Sequence, residues 1–360
     1  MATQHFSGIP KLTASIDFVV IMDSNDLVEV DLQFDKNKKC LDRWMENLPE
    51  EAHSLPLNCL AIPGSHDSLS SSLTPHSDIA PDEPDLYNSL FIRATSCLSK
   101  RIIYNWSCTQ AYDCKQQLEA GIRYFDLRVA KRPDDGLLYI VHGLYGTETK
   151  NILETMHEFL DTHSKEVILL DFQHLYEMNH FDHHKLLHQL MEILGPMLCP
   201  YVADLTEFTL SWLWERGFQV IVFYRDPVAQ YHPFLWPAES IPNPWPNTRS
   251  IKNLLAFLTG YERKRQAGKF FVSQSVLTPN LLYIMRNLLG NLRSVLVNES
   301  NKQLLKWLED KHPGPHGLNI IICDFIDYND CAIPQTIVNL NHKSPIMSNN
   351  QLQKSRYEVI

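Results

Sequence analysis

Seven short apolar runs, at residues 57–62, 122–127, 138–141, 167–172, 219–224, 270–273 and 319–323, recur along the chain, and helix-period segments separate most of them. A strand that is apolar at nearly every position, instead of every second one, is buried on both faces. Such strands alternating with helices predict a parallel sheet with helices packed against it. The helical segments are 151–163, 181–194, 251–265 and 279–310, the last broken near Gly290. Seven or eight strand–helix units in about 300 residues fit a (β/α) barrel better than a two-domain layout.

In parallel barrels, chemistry gathers where strands end at their C-terminal side. The first run passes through a Pro63-Gly64 turn and delivers His66 and Asp67 side by side. Asp126 and Arg128 close the second run, His142 the third, Arg225 the fifth and Asp324 the last. Two histidines and an arginine at three successive strand ends suit phosphate chemistry. Imidazole gives and takes protons near neutrality, and guanidinium holds phosphate oxygens through paired donors.

Composition limits the partners. Thirty-two basic against forty-two acidic side chains give a formal charge of −10. This argues against general affinity for nucleic acid, and against bulk attraction to anionic membranes. The eight cysteines show no C-x-x-C pair and no metal-ligand spacing, and several sit in apolar stretches. There is no signal-peptide pattern at the start and no apolar run long enough to span a bilayer. A reduced, cytoplasmic protein is expected. Residues 1–40 read as an N-terminal extension of unknown role, 41–342 as the barrel, and 343–360 as a polar tail.

Several blocks in one order carry a resemblance. They are Leu60-Ala61-Ile62-Pro63-Gly64-Ser65-His66-Asp67-Ser68, Trp106-Ser107-Cys108-Thr109-Gln110, Gly121 to Arg128 and Val141-His142-Gly143-Leu144-Tyr145. Lys165 to Phe172, Leu213-Trp214, Gln219 to Tyr224 and Asn319 to Phe325 follow. From about Trp44 to Leu340 the chain resembles the X-box of phosphatidylinositol-specific phospholipases C, in particular the PI-PLC X domain-containing proteins. The resemblance implies a distorted, incomplete TIM barrel. It implies attack of the inositol 2-hydroxyl on the phosphodiester, releasing diacylglycerol and a cyclic inositol phosphate.

By that resemblance His66 is the general base and His142 the acid that protonates the leaving oxygen. Asp67 supports His142, and Asp324 supports His66. Arg128 stands where the calcium-using relatives place a carboxylate, so the pattern resembles the metal-independent bacterial enzymes, with neither metal nor cofactor expected. Arg225 resembles a basic residue lining the inositol pocket, and Asp126 orients Arg128 or touches inositol. Two bacterial positions lack counterparts: a lysine appears replaced by Gln173 or His174, and a pocket aspartate has no match among Ser273, Gln274 and Ser275.

Two features stand apart. The stretch 227–248, rich in proline and tryptophan, reads as an irregular rim or lid; exposed tryptophans there would suit a lipid interface, and packed ones a rigid loop. His180/His184 and His184/His188 have the four-residue spacing that chelates metal on a helix, but a solvated helix face is the better reading. The expected partners are a phosphoinositide lipid and, transiently, a membrane surface. The rival classes are a phosphoinositide or inositol-phosphate binding module with little turnover, and a metal-using glycerophosphodiester phosphodiesterase, whose metal-binding acids Arg128 displaces.

Overall fold

The computed structural model describes residues 41–82 and 96–343, so the expected N-terminal extension and the tail beyond residue 343 lie outside it. Nine strands form one sheet: β1 (Ile62–Ser65), β2 (Tyr124–Lys131), β3 (Leu138–His142), β4 (Leu144–Glu148), β5 (Ile168–Tyr176), β6 (Val220–Tyr224), β7 (Leu235–Pro237), β8 (Val272–Ser275) and β9 (Ile320–Cys323). Seven of them run parallel in the order β7-β6-β5-β2-β1-β9-β8. The curled sheet is an incomplete TIM barrel, as expected. No ladder joins β7 to β8. In its place, the Phe270 and Val272 amides donate to the Ser240 and Pro242 carbonyls at 3.1 and 3.0 Å.

The continuous apolar runs are explained by two cores, one on each face. Ile62, Tyr124, Leu169, Ile221, Phe223, Ile320 and Ile322 pack inside the barrel with Trp236 and Phe270. Their strand neighbours Phe125, Leu127, Leu170, Val222 and Ile321 belong to a second core, shared with helices Thr149–Thr162, His180–Leu194, Asn298–Leu308 and Tyr328–Leu340. Successive side chains alternate faces, so parity sorts the polar residues too. Asp126 and Arg128 share the inward parity of Tyr124, Arg225 that of Phe223, and Asp324 that of Ile322.

Three expectations need correction. The first strand is not 57–62: residues Leu57–Cys59 form a 3-10 turn, and Pro63-Gly64 lie inside β1 instead of ending it. Gly64 is required there because a Cβ would come within 2.8 Å of both Ile322 and Tyr124, its partners on the two neighbouring strands. Second, 138–141 is not a parallel barrel strand. β3 pairs antiparallel with an extension of β2, and β4, which the apolar pattern did not reveal, pairs antiparallel with β3. Third, 227–248 is not wholly irregular, because β7 lies within it as a three-residue edge strand. The 279–310 segment does break: helices Leu281–Arg286 and Asn298–Leu308 flank the Gly290 region.

Candidate active site

His66 and Asp324 directly follow the paired strands β1 and β9, which sets them side by side. His66 Nδ1 lies 2.7 Å from Asp324 Oδ1 and 3.3 Å from Asp67 Oδ2. An Nδ1–H shared between carboxylates leaves Nε2 for chemistry. That atom faces Asp126 Oδ2 at 4.0 Å. Burial alone would push the His66 imidazole down, but Asp67, Asp324 and Asp126 outweigh it and hold it up at about 9.

Asp67 is the hub. Its backbone takes a left-handed φ of 41°, uncommon without glycine and typical of constrained functional turns. The turn aims the carboxylate at one guanidinium and two imidazoles. Oδ1 forms a close ion pair with Arg128 Nε, and Oδ2 lies 3.3 Å from both His66 Nδ1 and His142 Nε2. Burial would raise this carboxyl; Arg128, then His142 and His66, hold it far below the usual range. The Arg128 guanidinium is held fully protonated by Asp67 and then Asp126, against its burial.

His142 arrives from the antiparallel hairpin. Its Nδ1 donates to the Ser107 carbonyl at 2.7 Å. The expected Asp67–His142 contact is therefore present, but on Nε2, the nitrogen meant for chemistry; a backbone carbonyl does the orienting. Asp126 accepts the Asp67 amide at 3.3 Å, and burial, then the charge of Asp67, raise its carboxyl to about 6. Burial also raises the Asp324 carboxyl, with His66 opposing. His66, Asp67 and Asp126 could together hold a cation, their donor atoms all lying within 4.8 Å of one another. Arg128 sits against that set as a fixed positive charge, which opposes one.

The Trp106-to-Gln110 block buckles the loops together. Gln110 Nε2 donates to the His66 and Cys323 carbonyls, both at 2.9 Å, and Thr109 Oγ1 to the His66 carbonyl at 3.1 Å. Neither role was legible, since backbone carbonyls leave no trace in side-chain identity.

Arg225 lies apart in a second polar layer. Its Nε and Nη2 grip Asp171 at 3.0 and 2.7 Å, and the same carboxylate accepts from Tyr124 Oη at 2.8 Å and Gln173 Nε2 at 2.9 Å. Asn243 Nδ2 extends the network to Tyr124, and Gln274 to Asn243. The pairing of β2 with β5 shifts register at Leu127/Arg128, so Arg128 stands opposite His174 and Gln173 is the extra residue. Loss of solvation, then Arg128, push the His174 imidazole down to about 4. Sequence reasoning passed over Asp171 because it sits mid-run among apolar residues.

Residues 95–225 match the family model "Phosphatidylinositol-specific phospholipase C, X domain". PI-PLC X domain-containing protein 3 of Homo sapiens is 39% identical over 310 residues, 85% of this chain and 95% of that protein. PI-PLC X domain-containing protein 2 of Mus musculus is 41% identical over 305 residues, 84% and 88%. Among solved structures, the phosphatidylinositol-specific phospholipase C of Listeria monocytogenes superposes with a TM-score of 0.55 at 20% identity, covering 84% of this chain and 98% of that one. This last likeness shows the fold. The relatives, similar over most of both chains, show more: the chain belongs to the family of PI-PLC X domain-containing proteins.

Proposed function

We propose that this protein is a metal-independent phosphatidylinositol-specific phospholipase C. The inositol 2-hydroxyl attacks phosphorus and gives its proton to His66 Nε2. His142 Nε2 gives a proton to the diacylglycerol oxygen as the P–O bond breaks, leaving a cyclic inositol phosphate. Arg128 holds a non-bridging phosphate oxygen and offsets the charge that builds there. One observation carries the reading: a single carboxylate, Asp67, touches both imidazoles and the guanidinium, so base, acid and anion holder face one small space. Asp67 then acts as placeholder for the phosphate, yielding Arg128 and His142 when substrate enters. With His66 held at about 9, about one molecule in a hundred has a neutral base at pH 7.

The lipid surface is met by the rim. Phe181 (82% exposed), Tyr231 (74%) and Trp245 (53%) stand on the segments that follow β5, β6 and β7. Leu281, Leu282, Met285 and Leu289, all exposed, follow β8. Trp236, by contrast, is fully buried. Exposed apolar groups strung around one face favour an interface with lipid. No helix among the described residues is long and apolar enough to cross a membrane. We place the working site at cytoplasmic membrane surfaces, visited transiently.

A binding module with little turnover is the second reading. What favours it is Arg225, whose donors are committed to Asp171, with Gln173 where the bacterial enzymes have a lysine. Phosphatidylinositol vesicles in excess chelator separate the readings. Diacylglycerol and cyclic inositol phosphate should form, and His66→Ala and His142→Ala should each abolish them. Vesicle binding without product, with or without added metal, would establish the module instead.

A further inference from the structure

The spacing of His180, His184 and His188 leaves two possible i,i+4 pairs, and the structure distinguishes them. His188 turns to Glu192, its Nδ1 3.4 Å from a carboxylate oxygen. His184 turns the other way. Its Nε2 lies 3.1 Å from His180 Nε2, with the rings steeply inclined at 74° and both exposed, in the first turn of helix His180–Leu194. Exposure agrees with a solvated helix face; converging nitrogens go beyond it.

We propose that His180 and His184 form a two-histidine site for a divalent cation of the zinc type. Zinc–imidazole bonds run about 2.0–2.1 Å, so nitrogens 3.1 Å apart subtend about 98° at one ion, between square and tetrahedral angles. The Nε2 pair fits one ion without rearrangement. Among the described residues no third His, Cys, Asp or Glu donor converges with the pair. His232, its ring centroid 6.0 Å from that of His184, is the nearest further imidazole recorded beside it. The remaining positions on the ion are therefore open to water. The positive end of the helix opposes a cation. Asp226, 3.5 Å from the adjacent His183, offsets part of that effect, whereas Asp182 is paired with Lys131 at 3.0 Å. This site is separate from the His66 cluster, and the inference stands whether or not the chain is a phospholipase.

The test is calorimetric titration of the full chain, stripped with chelator and desalted, with zinc chloride alone. At least one equivalent should bind. His180→Ala and His184→Ala should each weaken that binding at least tenfold, with unchanged far-UV circular dichroism, and His188→Ala should leave it intact. Nitrogen-15 spectra of the histidines should show two Nε2 signals moving as zinc is added. Zinc binding that is equal in wild type and the His180→Ala/His184→Ala protein, or that is lost on His66→Asn, would overturn the proposal. So would shifts confined to other imidazoles.

Discussion

Two arginines, the buried Arg123 just before β2 and the half-buried Arg128 near its middle, are treated oppositely. Arg123, fully buried, donates to Glu166 at 2.9 Å and to the carbonyls of Leu118, Ile122, Leu41 and Asp42. Glu166 in turn accepts the Met45 and Glu46 amides, pinning the 41–48 segment under the barrel. Arg128, 18% exposed, packs against Asp67, yet its Nε, both Asp67 oxygens and Asp126 Oδ1 make no aligned hydrogen bond within the protein. A saturated buried charge is structure. One held by a partly exposed ion pair keeps donors that an incoming anion could engage. Arg123 thus anchors the start of β2, while Arg128, mid-strand, faces the Asp67 cluster.

Exchanging each arginine for alanine tests that contrast most severely. Arg123→Ala strands the Glu166 carboxylate and should cost about 3–5 kcal/mol, a large part of a typical 5–15 kcal/mol, read by urea unfolding. Arg128→Ala should cost less than half as much stability while turnover on vesicles falls about a hundredfold or more, equivalent to about 3 kcal/mol of barrier. Equal stability losses, or unimpaired turnover in Arg128→Ala, would erase the distinction.

The pH dependence sharpens it. His66 sits at about 9 in the folded chain against about 6.5 unfolded. The protonated ring therefore stabilises the fold fully below pH 6.5, and that contribution drains away as pH rises through 9. The melting temperature should fall across this window, and His66→Gln should flatten the slope. Turnover needs a neutral His66 together with a protonated His142, so its pH profile should be bell-shaped, its rising limb set by His66. A wild-type melting temperature that is level from pH 6.5 to 9 would remove the raised imidazole from the account.

The smallest effect concerns the rim. Leu282→Asp or Leu289→Asp should weaken vesicle sedimentation several-fold, since each removes about 1.5–3 kcal/mol of burial at most. Turnover of a soluble, short-chain substrate should be unchanged; a matching loss there would mean the segment shapes the pocket instead.

Much of this was legible because parity and periodicity are local. Helix 251–262 begins where the pattern put it, and the break near Gly290 followed from a residue that interrupts helices. The pairing of His66 with Asp324 was also expected. What escaped was non-local. Pro63-Gly64 spells a turn unless one knows that Tyr124 and Ile322 crowd the space above the glycine. The β3–β4 hairpin looked like another parallel unit because apolar runs do not record strand direction. Ser107 holds His142 through its carbonyl, an atom every residue has.

The gap between β7 and β8 has a mechanical meaning. Elsewhere the ring is closed by ladders, and here by the amides of Phe270, Val272 and Thr278 reaching the segment after β7. With no ladder at this join, amide exchange here should run faster than in the ladder-paired strands. His66 and Asp324 directly follow β1 and β9 and Arg128 lies on β2; β9 pairs with β8, which borders this join, and β2 lies two strands further in. Any motion at this join therefore reaches Asp324, through β8 and β9, before it reaches Arg128.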